Sequence, residues 1–321
     1  MLADKTIKRP GGKRLNAQTL QEELTQLAQM AGAEKAPLIQ NYMSAKMSRA
    51  LSLKCRPANQ DGRTDNCCAR LGGAPLLPPD FVWPKDRSGA PMLFIAQFYL
   101  DQLPAADVNQ PEKGVLSIFR STQILTMPVK DRRSFHLSFL PQGEEAGKLT
   151  DTSLTPLASP EAEALAGARL PAWLAEASPS MSVCEVLADY PSTTGLSSDL
   201  SGRLQAWAKK FNILHVGSNR LFGADLSGMA EQKEICAFAA SGISHSPARA
   251  KDSHYSHLLD DAPNWILWTQ LDDAALFHAA APGAGAAEND GKTIASTRLL
   301  IRREDLATGL FERGWLICAA S

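Results

Sequence analysis

Apolar side chains recur every three to four positions through Leu20, Leu24, Leu27 and Ala31, which predicts an amphipathic helix capped by Asn16 and stopped by Gly32. Pro37 stands where the first turn of a second helix tolerates proline, ahead of Leu38, Ile39, Tyr42, Met43 and Met47. After Arg70 the texture changes. Residues 71–84 set two glycines and four prolines among bulky apolar side chains. Proline's missing N–H and fixed φ predict extended, irregular chain there. Residues 92–98 form a continuous apolar run of strand length, suited to a strand covered on both faces. Further strands are predicted at 115–119, 135–139, 182–187, 213–216, 235–239, 265–269 and 298–301. Helical patterns fall at 160–168, 172–177 and 199–211, the last capped by Ser197 or Ser198. An Ala- and Gly-rich stretch at 279–291 predicts a loop. Together these predict an α+β fold: an extensive, mostly antiparallel sheet system with flanking helices and an N-terminal helical appendage.

Composition narrows the class. The chain has 321 residues, 44% apolar and 21% charged, near globular averages, which excludes whole-chain disorder. Lys plus Arg is 33 against 34 Asp plus Glu, so a globally basic nucleic-acid binder is excluded. The charge is uneven, however. Residues 1–56 hold ten basic side chains against four acids, a balance of +6, which leaves −7 on residues 57–321. The basic arm Lys5, Lys8, Arg9, Lys13 and Arg14 reads as a solvated tail. A polar stretch at 59–65 reads as a linker, so the expected domains are 1–56, a separable arm and helix pair, and 57–321. No apolar stretch has signal-peptide or membrane-spanning length, so the expected location is cytoplasmic, away from membranes. The six cysteines are then reduced thiols. Only Cys67 and Cys68 are close, and adjacent side chains point apart, so no structural zinc is expected.

The run Gly72-Gly73-Ala74-Pro75, then Trp83-Pro84, then Phe94-Ile95-Ala96-Gln97 resembles the first signature of the bacterial YwqG-like family, a domain of unknown function. Asn219-Arg220-Leu221-Phe222-Gly223 resembles its second signature, with Asn219 where a His usually stands. Residues 268–272, 299–306 and 311–315 resemble its C-terminal strands, so the resemblance covers about residues 65–318. One family segment, Trp-Gly-Asp-x-Gly, is reduced here to the Asp and Gly of Asp290-Gly291. The resemblance implies an α+β fold with extensive sheet and no established activity. It also implies protein binding, since members often neighbour toxin–immunity loci.

Within the first signature, Gly72 and Gly73 lack the Gly-Lys-Ser/Thr ending of a phosphate loop, so they and Pro75 read as backbone devices. Trp83-Pro84 reads as a ring packed under the Pro-rich loop, its indole N–H bonded to a carbonyl. Gln97 reads as a buried amide satisfying loop backbone, and Gly223 as a structural position. The chemistry-bearing cluster is residues 252–261. His254 and His257 share a helical face that Asp260 continues, with Tyr255 and Asp261 beside them. His-x-x-His lacks the Glu and spacing of a helical zinc-protease motif, so a protein-binding surface is the expectation. Asp272 and Asp273 join that surface as a solvated strand end rather than an acid–base pair, because adjacent strand residues face opposite ways. No catalytic residue, metal or cofactor is assigned, and enzyme activity is left open, leaning to none. The expected function is an immunity or antitoxin-like protein that occludes a cognate toxin. The alternative is a small-molecule-binding or enzymatic domain with its site near Gly73, Trp83 and Gln97. Nucleic-acid contact through the N-terminal arm has the least support.

Overall fold

The computed structural model describes residues 17–58, 67–78, 80–121, 131–141, 150–151, 170, 172–184, 197–225, 228–273, 276 and 294–320. Two helices, α1 (Ala17–Met30) and α2 (Ala36–Ala45), lead into a long strand, β1 (Met47–Pro57). Four strands follow: β2 (Ala69–Leu71), β3 (Leu76–Leu77), β4 (Leu93–Tyr99) and β5 (Val115–Arg120). Next come β6 (Phe135–Leu140), β7 (Thr150–Asp151), β8 (Trp173–Val183) and helix α3 (Ser198–His215). Strand β9 (Arg220–Phe222) precedes α4 (Met229–Ala240), α5 (Pro247–Ala250) and α6 (Ser256–Asp261). Strand β10 (Trp265–Asp272), β11 (Ile294–Arg302), α7 (Arg303–Ala307) and β12 (Trp315–Ala320) complete the order. Ten strands belong to an antiparallel sheet, and β3 pairs with β7 apart from it, which is the expected α+β class. No helix among the described residues is long and apolar enough to cross a membrane.

The chain divides into two compact units, Met1–Leu53 with Ser178–Glu231, and Lys54–Ala177 with Gln232–Ser321. This division differs from the one expected at 56/57. Both β1 and β8 pass from one unit into the other, so each unit is assembled from two stretches of chain.

In the first unit, the apolar stripe of α1 meets that of α3. Leu20, Leu24, Leu27, Ile39 and Met43 share a core with Leu200, Leu204, Trp207 and Leu214. The Trp207 indole donates to the Leu20 carbonyl over 2.8 Å, filling a buried donor that would otherwise be orphaned. Ser197 caps α3, its hydroxyl accepting from Leu200 N at 3.2 Å. Met47, read from sequence as helical, opens β1 instead, and β1 pairs with β9 in the register Ala50↔Phe222, Leu51↔Leu221, Ser52↔Arg220. Residues 213–216, expected as a strand, are the end of α3 and its cap. The burial of Leu204, Trp207, Ala208 and Leu214 on one face continues the helical period to the end.

In the second unit, β2 lies between β8 and β4, and β5 lies between β4 and β6. Strands β10, β11 and β12 form a second antiparallel set. The two sets face each other through aromatic contacts: Phe98 of β4 stands edge-on to Trp268 of β10 at 4.9 Å, and Phe135 to Trp315 at 5.4 Å. Residues 172–177, expected as a helix, fall largely within the start of β8 because pairing with β2, Ala69↔Ala175 and Leu71↔Trp173, overrides alanine's helical preference. Residues 235–239, expected as a strand, lie in α4; a five-residue apolar run fits a buried helix turn as well as a strand. The basic arm with Asn16, the stretches at 59–65, 160–168 and 279–291, the Asp290-Gly291 segment and residues 185–187 lie outside the described residues.

Candidate ligand-binding site

The first signature is scaffold on one side and pocket wall on the other. Gln97 is fully buried on β4. Its carbonyl accepts from Leu76 N at 3.0 Å, while its amide donates to Leu76 O at 2.6 Å and Ser117 Oγ at 3.0 Å. One side chain thus satisfies both backbone groups of Leu76, the first residue of β3. Gln97→Leu strands those groups and is expected to cost about 1–3 kcal/mol, read from urea denaturation. Gly73 has φ +66, and a Cβ there would stand 2.6 Å from that of Ala172, so glycine is required by conformation and by space. Pro75 is buried, and Gly72 N donates to Ile95 O at 2.8 Å. Gly223 of the second signature has φ +101, with Ala50 Cβ only 3.0 Å from where its own Cβ would be. Gly73, Gln97 and Gly223 are therefore structural. The Trp83 indole donates to Met92 O at 2.9 Å, and Met92 N donates to Pro84 O at 2.9 Å, which fixes the Trp-Pro turn against β4. The Trp83 ring makes a T-shaped contact with Phe119 at 5.2 Å, packs against the cluster of Leu77, Met92 and Phe94, and also lines a cavity.

That cavity, about 740 Å³, is lined by Val82, Trp83, Pro84, Lys85, Met92, Arg132, Arg133, Phe135, His136, Leu137 and Glu312. The antiparallel order β4–β5–β6 carries residue 135 back to the Trp83 side of the sheet, although some fifty positions separate them in sequence. Asp131 shapes the turn before β6. Its carboxylate accepts from Arg133 N at 3.0 Å and lies 3.4 Å from Arg133 Nε and 3.7 Å from Arg87, contacts that hold its pKa below the ordinary value.

Arg132 is held differently. Its guanidinium sits 4.5 Å over the Phe135 ring and 5.5 Å over Trp315, and it donates to the Gly314 carbonyl. Burial pushes its pKa down to about 10, with Glu312 pulling the other way. Among the described residues it makes no ion pair. The neighbouring His136 imidazole is also held below its ordinary value, first by burial and then by the Arg132 charge, so it stands neutral at pH 7.

The surface expected from the sequence has a different character. Asp252 caps the turn before α6, accepting from His254 N at 3.0 Å; His254, His257 and Asp260 are exposed. Tyr255 is half-buried, 5.7 Å from Phe238. Asp261 turns inward: Arg302 Nε reaches it at 2.8 Å and the Trp265 indole at 3.1 Å. Burial works to raise its pKa, but those donors and Asn264 outweigh it and hold the carboxyl low. Asp272 is half-buried. Asp273 is not at a solvated strand end: it is fully buried and ion-paired with Arg120, so no partner reaches it. Thr297 Oγ1 joins the pair, donating to Asp273 at 2.9 Å and accepting from Arg120 at 2.6 Å. The strand ends, but the Asp273 side chain lies between the two strand sets, against Arg120 of β5 and Thr297 of β11, rather than in solvent.

All six cysteines are unbridged, and burial pushes Cys55 and Cys68 up to about 12, far from the reactive range. No group of three His, Cys, Asp or Glu with metal-holding geometry occurs among the described residues. Sequence reasoning singled out Trp83 and Pro84 but missed Lys85, Arg132, Arg133, His136 and Glu312. The adjacent Arg132-Arg133 ahead of an alternating strand was the available signal, and only the strand order joins it to Trp83. No curated protein matches the chain closely enough to be named as a relative. One family model matches residues 69–319, from β2 into β12 and including every residue that lines the cavity, and the chain belongs to that family, the domain of unknown function DUF1963.

Proposed function

We propose that this chain is a binding protein that takes an anionic small molecule in the cavity between Trp83 and Arg132. The observation that carries the proposal is Arg132, a largely buried cation in an aromatic wall with no carboxylate paired to it among the described residues. Withdrawing a guanidinium from water is costly unless an anion compensates it; Glu312 on the same wall acts on Arg132 without reaching ion-pair distance, which leaves the guanidinium able to take a ligand anion. The volume falls in the usual range for small-molecule sites, about 300–1,000 Å³. The YwqG-like resemblance implies protein binding and so lends its support to the second reading below; the small-molecule reading rests on the cavity and needs no cofactor. A cytoplasmic location belongs to the same proposal, and four of the six thiols, Cys67, Cys68, Cys236 and Cys318, are buried.

Titration with benzoate and with phenyl phosphate, followed through the Trp83 indole resonance, tests this. Wild-type protein is expected to bind both, and Arg132→Gln to weaken binding roughly tenfold or more, as charge-assisted hydrogen bonds are worth about 1.5–3 kcal/mol. Wild type that binds neither, or a variant that binds as well, overturns the proposal. A pH dependence follows. A bound anion raises the pKa of His136 from its depressed value, so binding takes up a proton and affinity rises as pH falls from 8 to 5. Benzoate remains mostly ionised there, since carboxyl groups titrate near 4. His136→Asn should flatten the profile.

A second reading, an immunity-like protein that occludes a toxin, is favoured by the exposed His254, His257 and Asp260 on a turn anchored by Asp261–Arg302. Protein interfaces spread their contacts over roughly 20–30 residues a side, so single alanines at these positions should each retain most protection in a toxin co-expression growth assay. Loss of protection in a folded variant that still binds the toxin would rule out occlusion.

A further inference from the structure

Resting on the anion-pocket reading, we infer that the ligand class is an α-amino acid with a large apolar side chain, its carboxylate taken by Arg132 and its ammonium by Glu312. The charged side chains that line the cavity are Lys85, Arg132, Arg133 and Glu312. Two of them are committed within the fold. Lys85 has an interaction of its own, and Arg133 is held by Asp131, which accepts from Arg133 N at 3.0 Å and lies 3.4 Å from Arg133 Nε. His136 adds no charge at pH 7. Arg132 and Glu312 are different: neither makes an ion pair among the described residues, although they stand on one stretch of wall. The Arg132 guanidinium donates to the Gly314 carbonyl, two residues beyond Glu312, and the Glu312 carboxylate acts on it from outside ion-pair distance.

A cation and an anion set side by side but unjoined select a ligand that carries both signs. A ligand with negative charge alone gains from Arg132 and loses to Glu312, whereas one with an ammonium beside its carboxylate gives each protein charge a partner. An α-amino acid carries the two groups on one carbon, which lets them meet two side chains on the same stretch of wall. Arg132 is already fixed by its stacking over Phe135 and Trp315, so little side-chain freedom is lost when it takes the carboxylate. The body of the ligand follows from the remaining lining, which includes Met92, Leu137 and Val82. Val82 is 85% exposed, and a ligand side chain laid over it withdraws apolar surface from water. A cavity of about 740 Å³ leaves room for a bulky side chain beyond the two charged groups.

Calorimetric titration at pH 7 and fixed salt with phenylalanine, hydrocinnamate, phenethylamine and alanine, with benzoate as the control for the anion pocket, separates the possibilities. Phenylalanine is expected to bind roughly tenfold tighter or more than hydrocinnamate, which lacks the ammonium, than phenethylamine, which lacks the carboxylate, and than alanine, which lacks the ring. Glu312→Gln, at an exposed position, should weaken phenylalanine roughly tenfold and tighten hydrocinnamate, opposite shifts that a loss of fold cannot produce. Hydrocinnamate binding as tightly as phenylalanine, or a Glu312→Gln variant that binds phenylalanine as well as wild type, overturns the amino-acid class and leaves the anion pocket standing. Alanine binding as tightly overturns the apolar body. Phenethylamine binding as tightly overturns the carboxylate contact with Arg132, and the anion pocket with it. If benzoate binds and phenylalanine does not, the amino-acid class alone is overturned; if neither binds, the pocket reading itself fails.

Discussion

Asp273→Ala is expected to destabilise the second unit by about 3–5 kcal/mol, because it leaves the Arg120 charge buried without a partner. Burial alone would lower the proton affinity of Arg120; Asp273 reverses the balance and raises it, with Cys318 and Thr297 completing a closed polar cluster. The Arg120 Nε and Asp273 Oδ1 atoms have no partner among the described residues, so the cluster has little reserve once one member is lost. A paired replacement, Arg120→Met with Asp273→Leu, removes both charges and should recover most of the loss, since apolar isosteres commonly match a buried pair in stability. Urea denaturation of the three proteins decides it. A single variant within 1 kcal/mol of wild type would show that the pair contributes nothing, and a double variant as weak as the single would point to packing instead.

Removing residues 1–56 has the other large expected effect. The deletion takes away Leu20, Leu24, Leu27, Ile39 and Met43, the cover over Leu200, Leu204 and Trp207, together with nearly all of β1. Cutting a single large core side chain, as in Trp207→Ala, costs about 3–5 kcal/mol, and whole domains are stable by only about 5–15 kcal/mol. The truncated protein is therefore expected to be insoluble, or to show near-native far-UV dichroism without near-UV signal or a cooperative thermal transition. A soluble, cooperatively unfolding product of residues 57–321 would instead establish the separable appendage that the sequence pattern suggests.

How far the sequence carried the fold depended on period and length. Leu20, Leu24 and Leu27 announce a helix because three turns of consistent spacing leave no alternative. Strands β4, β5, β6 and β10 are legible because long apolar or alternating runs are bounded by turn residues. Residues 235–239 are too short to separate helix from strand, and residues 172–177 carry alanines whose local preference loses to the ladder with β2. For the site, Trp83 and Gln97 were legible by chemistry: a ring that must hide its N–H, and an amide that must be satisfied. Arg132, His136 and Glu312 were not. Their significance arises from what stands opposite them, and that follows from strand order, which no local pattern encodes. Asp273 was misjudged for the same reason: alternation gives a side chain's face but not whether a second strand set lies over it.

The assembly of each unit from two separated stretches of chain has a consequence during synthesis. The apolar stripe of α1 leaves the ribosome about 180 residues before Trp207, which at roughly 5–20 residues per second is an interval of about 10–40 s. For that time Leu20, Leu24 and Leu27 have no native surface to bury against, while the strands from β2 to β6 emerge within one continuous stretch and can begin to pair. The nascent chain thus carries a sticky N-terminal segment through most of its translation, and it is in this window, rather than in the finished protein, that dependence on a holding chaperone should be greatest.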